Sequence, residues 1–148
     1  MAGTEPLSDA EVRDAALRWY RLLDVHAPIA DLLPMLADAD LEMRFPEGVV
    51  RGHAGFREWY DAVTRRFFDE EHAVKSVAAT ARGDGTHQAK VVVNWQARIW
   101  NPPDAGSQWL GFDAYQTWVV RRSPETGGAE VVIYTVDELR AMPGSASL

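Results

Sequence analysis

The sequence predicts an α+β fold in which N-terminal helices precede a long, mostly antiparallel sheet. Apolar residues recur at helical spacing in the first part of the chain, whereas they alternate along extended segments after His72. Turn residues separate these extended segments, and helices followed by strands are typical of this class. The 148 residues are most simply a single domain, with a core at about 8–139 and short loose tails.

The N-terminal half contains signals for three helices. "SDAE" at residues 8–11 is typical of a capping box, and the apolar spacing behind it predicts an amphipathic helix over residues 9–24. Pro28 begins a second, short helix. The segments "LEMRF" and "VVRG" can extend on either side of a "PEG" turn. An apolar stripe from Phe56 to Phe67 then predicts the third helix.

The C-terminal half contains signals for four strands. "HAVKSVAATA" and "THQAKVVVNWQARIW" flank "RGDG", in which Asp84 and Gly85 predict a hairpin turn. A loop rich in proline and glycine over 101–106 separates them from "QWLGFDAYQTWVVRR". After a further turn, "AEVVIYTVDEL" predicts the last strand.

Composition narrows the classes of function. The formal net charge is −7 and no basic stripe occurs, which argues against nucleic acid or an anionic membrane as a partner. The chain has no cysteine, and its four histidines lack metal-ligand spacing. Cofactor-binding fingerprints are absent, so we expect chemistry without a metal or a cofactor. The polar N-terminus and the lack of a long apolar run favour a cytoplasmic protein.

The order of these elements resembles the nuclear transport factor 2-like superfamily, and within it the SnoaL-like group. The resemblance rests on "ALRWYRLLDVHAP", "PEGVVRGHAGFREWY", "HAVKSVAATARGDGTHQAKV" and "VVIYTVDEL", and it covers about residues 8–139. It implies a cone-shaped sheet, mixed but mostly antiparallel, that wraps around three helices and leaves a pocket at its open end. Relatives include ketosteroid isomerases, polyketide cyclases and dehydratases, but also proteins without catalysis, so fold alone does not give the function.

Alignment with the isomerases through Trp100 implies which sheet face lines the pocket. The residues expected to face it are Asn94, Gln96 and Arg98 on one strand, Phe112, Ala114, Gln116 and Trp118 on the next, and Val132, Tyr134 and Val136 on the last. The apolar face of Val93, Trp95 and Ala97 would then lie outside, where many relatives pack a second subunit. We therefore expect a homodimer through the outer sheet face. A register slip of one residue would reverse this assignment.

The chemical groups of the isomerases are missing. Their tyrosine, carboxylate base and protonated aspartate correspond to Trp19, Phe45 and Gln116 here. Tyr20 adjoins the first position but is turned by about 100° around the helix. His72 resembles a histidine of some dehydratases and could act as base or acid, with Asn94 beside it. Alternatively, it caps a helix or fills the mouth of the cone.

The expected catalytic residues are therefore His72, Asn94 and Gln116. The expected substrate-binding residues are Trp19, Tyr20, Trp59, Tyr60, Gln96, Arg98, Trp100, Trp118 and Tyr134. Three carboxylates are interpreted otherwise: Asp113 as a surface or dimer residue, Asp137 as a residue of the rim, and Asp24 as a hydrogen-bonding group at the helix end.

The resemblance favours a cofactor-independent cyclase, isomerase or dehydratase. Its substrate would be a bulky, apolar, polyketide-like intermediate of secondary metabolism, such as antibiotic biosynthesis. The alternatives are a non-catalytic module that binds such a ligand and a structural dimer whose cone is filled by its own side chains. An open pocket would argue against the last alternative.

Overall fold

The computed structural model describes residues 5–148, which form three helices and one six-stranded sheet. The helices are α1 (Asp9–Asp24), α2 (Ile29–Leu32) and α3 (Gly52–Arg66), and a 3₁₀ turn follows α2 at Leu33–Met35. The strands are β1 (Glu42–Phe45), β2 (Gly48–Arg51), β3 (Phe67–Ala81), β4 (Thr86–Ile99), β5 (Gln108–Arg122) and β6 (Ala129–Ala141).

The sheet has the order β2-β1-β6-β5-β4-β3, and only the β1–β6 pair is parallel. The long strands β3 to β6 form an antiparallel meander, with Gly85 at φ +88° in the predicted hairpin turn. Pairing shifts register twice in β3–β4 and twice in β5–β6. Such bulges bend and twist strands, which curves the sheet around the helices. The predicted α+β class and cone-shaped sheet are confirmed.

Strand β3 begins at Phe67, five residues before the predicted start at His72. The first register shift falls between Phe68 and Glu71, and Asp69 has a φ of +50°. The bulge breaks the alternation of apolar and polar residues, which explains why the sequence pattern did not reveal this part of the strand. Glu70 lies within this bulge.

The prediction that the polar face of β4 points toward the cavity is wrong, because its apolar face does so. Val91, Val93 and Ala97 are almost completely buried against the helices, and Trp95 lies on the same face. Directly opposite residues of an antiparallel pair share a face, and Val93 pairs with Ala114 of the inner side. Burial of the apolar side chains therefore sets the register, one residue away from the alignment with the isomerases.

This orientation predicts unequal effects of one substitution at adjacent positions. Val93→Thr should lower the free energy of unfolding by about 1–3 kcal/mol, because it places a hydroxyl in an apolar core. Val92→Thr, on the opposite face, should change it by less than about 0.5 kcal/mol. Urea unfolding monitored by circular dichroism would measure both. Equal effects would contradict the assignment of the faces.

The N-terminal segment is fastened to β5. Arg122 donates to the carbonyls of Glu5 and Pro6 and makes a two-pronged contact with the carboxylate of Glu11. Ser8 and Glu11 form the predicted capping box at the start of α1. The expected loose N-terminal tail is thus fixed from Glu5 onward, and residues 1–4 lie outside the described part of the chain.

The Arg122 contact makes stability depend on acid pH. Hydrogen bonding from Arg122 lowers the pKa of Glu11 from 4.5 to about 2. The contribution of Glu11 to stability is therefore complete above pH 4.5 and is lost as the pH falls toward 2. Glu11→Gln should lower the melting temperature at pH 7 more than at pH 2.5. Glu58→Gln, at an exposed position of α3, is the control and should show no such difference.

Part of the C-terminal segment 142–148, which was expected to be loose, forms hydrogen bonds with β5. The amides of Met142 and Ala146 donate to carbonyls of Gly111 and Trp109 on β5, and the hydroxyl of Ser145 accepts from the Gly111 amide. These contacts continue the pairing of β5 beyond the end of β6. No helix in residues 5–148 is long and apolar enough to cross a membrane.

Candidate active site

A cavity of about 720 Å³ lies between the inner sheet face and the helices. Its walls are mostly apolar and carry several aromatic rings, which is typical of sites for small apolar molecules. The rings are those of Tyr20, Phe45, Trp59, Tyr60, Phe67, Trp95 and Tyr134. The polar part of the lining includes His72, Gln116, Glu70 and the paired hydroxyls of Tyr20 and Tyr134. Glu47, Thr64 and Arg66 also line the cavity.

His72 and Asp24 form a histidine–carboxylate dyad in the cavity wall. The Nδ1 atom of His72 lies 2.6 Å from Oδ1 of Asp24, and the backbone N–H of His72 donates to Oδ2 at 3.0 Å. With Nδ1–H donated to the carboxylate, Nε2 carries the lone pair of the neutral imidazole. Within residues 5–148, Nε2 has no hydrogen-bond partner, which leaves it available to a ligand.

Two secondary-structure elements hold this dyad. Asp24 is the last residue of α1, and His72 lies in β3 opposite Trp95 of β4. The His72 ring packs against Tyr20, with centroids 4.9 Å apart, and stacks on Trp95 at 6.0 Å. The imidazole is therefore held on both flanks, and the carboxylate fixes its rotation. Such constraint reduces the entropy cost of aligning a base with its substrate.

A pair of phenols lies beside the imidazole. The hydroxyls of Tyr20 and Tyr134 are 3.1 Å apart and buried. Burial raises the pKa of Tyr20 well above its usual range and that of Tyr134 to about 12, while the Gln116 amide acts in the opposite direction on both. Both phenols therefore stay protonated at neutral pH. They and the Gln116 amide can donate hydrogen bonds to an oxygen that gains negative charge.

Glu70 supplies a second carboxylate to the cavity. Its Oε2 lies 2.5 Å from Nε2 of His26, and its Oε1 accepts a hydrogen bond from Trp95 Nε1 at 3.1 Å. The side chain is 9% exposed. Its charge also raises the pKa of Tyr60, after the larger effect of burial. In residues 5–148, no group of three or more His, Cys, Asp or Glu side chains is arranged to hold a metal ion.

The sequence matches the family model of the SnoaL-like domain over residues 5–129. The chain belongs to the SnoaL-like family. No curated protein sequence matches it. The fold and the cavity described above therefore belong to a SnoaL-like protein, as the sequence resemblance implied.

Solved structures share the fold at low sequence identity. A protein from Novosphingobium aromaticivorans with the working name aromatic ring hydroxylase has 18% identity and a TM-score of 0.76, covering 90% of this chain and 92% of its own. Hexachlorocyclohexane dehydrochlorinase LinA-type3 from Novosphingobium barchaimii has 15% identity, a TM-score of 0.73 and coverages of 94% and 92%. A nuclear transport factor 2-like protein from Salmonella enterica has 17% identity, a TM-score of 0.70 and coverages of 92% and 93%.

The amide face expected in the cavity of this SnoaL-like protein is on the outside of the sheet. Asn94 donates to Asp113, and Gln96 contacts both Asn94 and Trp109. Arg98 donates to Ser107. The orientation predicted for Asn94, Gln96 and Arg98 is therefore wrong, and these side chains form hydrogen bonds within the protein outside the cavity. The outer face of β4 is polar and does not offer the apolar surface on which the homodimer prediction was based. The homodimer stays a prediction.

Three tryptophans expected at the ligand do not line the cavity. Trp100 is 50% exposed and donates to the carbonyl of Asp104. Trp19 and Trp118 are buried beneath the wall, where both contact the ring of Tyr134. Trp118 also donates to the Gln116 carbonyl, which orients that amide. Successive residues are about 100° apart around an α-helix, so Tyr20 lines the cavity whereas Trp19 does not.

The structure brings together six of the residues predicted to form the site. His72, Gln116, Tyr20 and Tyr134 lie around one part of the cavity, and Trp59 and Tyr60 line another. Asp24 was interpreted only as a helix-end group, although a carboxylate closing the first helix was visible in the sequence. Glu70 and His26 were missed because a bulge and a loop bring them together.

Proposed function

We propose that this SnoaL-like protein is a cofactor-independent enzyme that removes a proton from carbon in a bulky, mostly apolar substrate. The observation that carries the proposal is the His72–Asp24 dyad in the wall of an apolar cavity. A histidine oriented by a carboxylate, with its second nitrogen free, is suited to general-base catalysis near neutral pH.

The surrounding groups support a carbonyl compound as the substrate. A C–H bond next to a carbonyl is acidified because the electron pair moves onto the oxygen. Nε2 of His72 takes the proton, and Asp24 stabilises the imidazolium that forms. One phenol of the Tyr20–Tyr134 pair, together with the Gln116 amide, donates to the enolate oxygen. Expulsion of a neighbouring leaving group gives elimination. Return of the proton elsewhere gives isomerisation, and attack on a second carbonyl gives cyclisation.

The size and lining of the cavity support the class of substrate. A volume of about 720 Å³ lies within the range of sites for drug-sized ligands. Aromatic walls favour flat or polycyclic molecules, for which folded polyketide-like intermediates are one source. The dehydrochlorinase among the structural neighbours is named for an elimination, which is one of the three outcomes of the same proton removal.

The proposal can be tested without the natural substrate. The bicyclic ketone 2-tetralone carries acidic C–H bonds beside its carbonyl, and its exchange of hydrogen for deuterium in D₂O is measured by proton NMR. The protein should accelerate exchange in proportion to its concentration and without an added metal or cofactor. Binding of the ketone without faster exchange would instead support the alternative, a non-catalytic ligand-binding module.

A further inference from the structure

The Glu70 carboxylate lies in the cavity wall and accepts hydrogen bonds from two neighbouring side chains, which leaves some of its acceptor positions without a partner. An ionised carboxylate offers about four lone-pair positions. His26 Nε2 and Trp95 Nε1 contact one position on each oxygen. No other hydrogen bond to the carboxylate is formed within residues 5–148. Glu70 lines the mostly apolar cavity, so a molecule inside it can reach the remaining acceptor positions.

The backbone is strained on both sides of this contact. His26 has a φ of +48° and Asp69, next to Glu70, has a φ of +50°. In residues 5–148, these are the only residues other than glycine with positive φ. Such conformations are costly without a glycine, and they persist where the surrounding structure enforces them, often at ligand sites. The strain brings His26 and Glu70 to the same point, from the loop after α1 and the bulge of β3.

We propose that Glu70 determines specificity by accepting a hydrogen bond from a hydroxyl group of the ligand. This inference rests on the proposed function, since it concerns the same cavity. An apolar ligand without a donor would leave the carboxylate desolvated and unpaired on that side, which is unfavourable. The ligand class is therefore an apolar ring system that carries a phenol or an alcohol.

Trp95 contacts both His72 and Glu70 and thereby fixes their relative positions. Its indole ring stacks on His72, and its Nε1 donates to Glu70. The base therefore lies against a face of the indole, and the carboxylate lies at its N–H edge. A substrate that spans the indole would present its acidic C–H bond to His72 and its hydroxyl to Glu70. This places the two groups on one ring or on fused rings of the substrate.

The experiment compares two probes that differ in one donor. Isothermal titration calorimetry at pH 7 would give the Kd of 2-naphthol, which has a hydroxyl, and of 2-methoxynaphthalene, which has none. Wild-type protein should bind 2-naphthol about 10- to 100-fold more tightly, as expected for a hydrogen bond to a charged group. Glu70→Gln should reduce this preference by about 10-fold or more. Gln keeps the shape of the side chain but removes its charge.

Glu71→Gln is the matched control. It removes the same charge one residue along β3, at an exposed position paired with Gln96 on the outer face, and should leave the preference unchanged. Equal Kd values for the two probes in the wild type would overturn the role of Glu70. So would an unchanged preference in a folded Glu70→Gln protein.

Failure of this inference is distinguishable from failure of the proposed function. If ketone exchange depends on His72 while the preference for naphthol does not depend on Glu70, the proton-transfer function stands and the hydroxyl specificity is wrong. If the preference for 2-naphthol depends on Glu70 but the protein does not accelerate exchange of the ketone, the ligand class is supported and the catalytic function is not. If neither naphthalene binds, the ligand class inferred from Glu70 and from the apolar walls is contradicted.

Discussion

Replacing His72 by glutamine is expected to slow deuterium exchange of 2-tetralone by about 10²- to 10⁴-fold, the usual contribution of a general base. Glutamine is of similar size, but its amide cannot take up a proton at neutral pH. The Nε2 atom faces a cavity in which the described residues provide no other imidazole: His26 is bound to Glu70 through Nε2, and His53 contacts the carbonyl of Leu36. Little residual exchange should therefore remain.

The control for this result is His53→Gln, which removes an imidazole outside the cavity and should leave exchange unchanged. Both variants should keep their circular dichroism spectra and bind 2-naphthol. Exchange at the wild-type rate by a folded His72→Gln protein would exclude this histidine as the base.

Asp24→Asn is expected to slow exchange by about 10²-fold or more, although Asp24 itself does not touch the substrate. The carboxylate accepts from both the backbone N–H and Nδ1 of His72. An asparagine that keeps the first contact with its oxygen turns its NH₂ group toward Nδ1. Nδ1 must then accept, so that Nε2 carries the hydrogen and is no longer a base.

Two measurements separate this positioning role from general damage. The double variant Asp24→Asn/His72→Gln should be no slower than His72→Gln alone, because groups that act as a unit are not additive. Asp14→Asn, at an exposed position of the same helix, should have no effect. Independent, multiplicative losses would show that Asp24 acts by a route other than His72.

The fold was predictable because its signals are local and repeated. The capping box at Ser8, the turn at Asp84 and the alternation along β4 to β6 each follow from short-range physical chemistry. These patterns reproduce the helices and the order of the long strands. The start of β3 was not predictable, because a bulge at Asp69 interrupts the alternation.

Site residues were predictable one at a time, whereas contacts between residues of different elements were not. His72, Gln116 and Tyr134 were predicted from the family resemblance, which implied a histidine at the start of the first long strand and inward positions on β5 and β6. The partner of His72 did not follow, because Asp24 lies in another element. The face of β4 was misassigned because an alignment with distant relatives outweighed the burial of Val91 and Val93.

The two members of the dyad are separated by 48 positions in the sequence. A base of this kind does not exist in the unfolded chain, and it is absent from any intermediate in which α1 has formed but β3 has not yet docked against it. Contacts between such distant positions form late, because they require closure of a long loop. The reactive imidazole is thus assembled together with the cavity that encloses it. The unfolded chain therefore contains the histidine without the carboxylate contact that orients it.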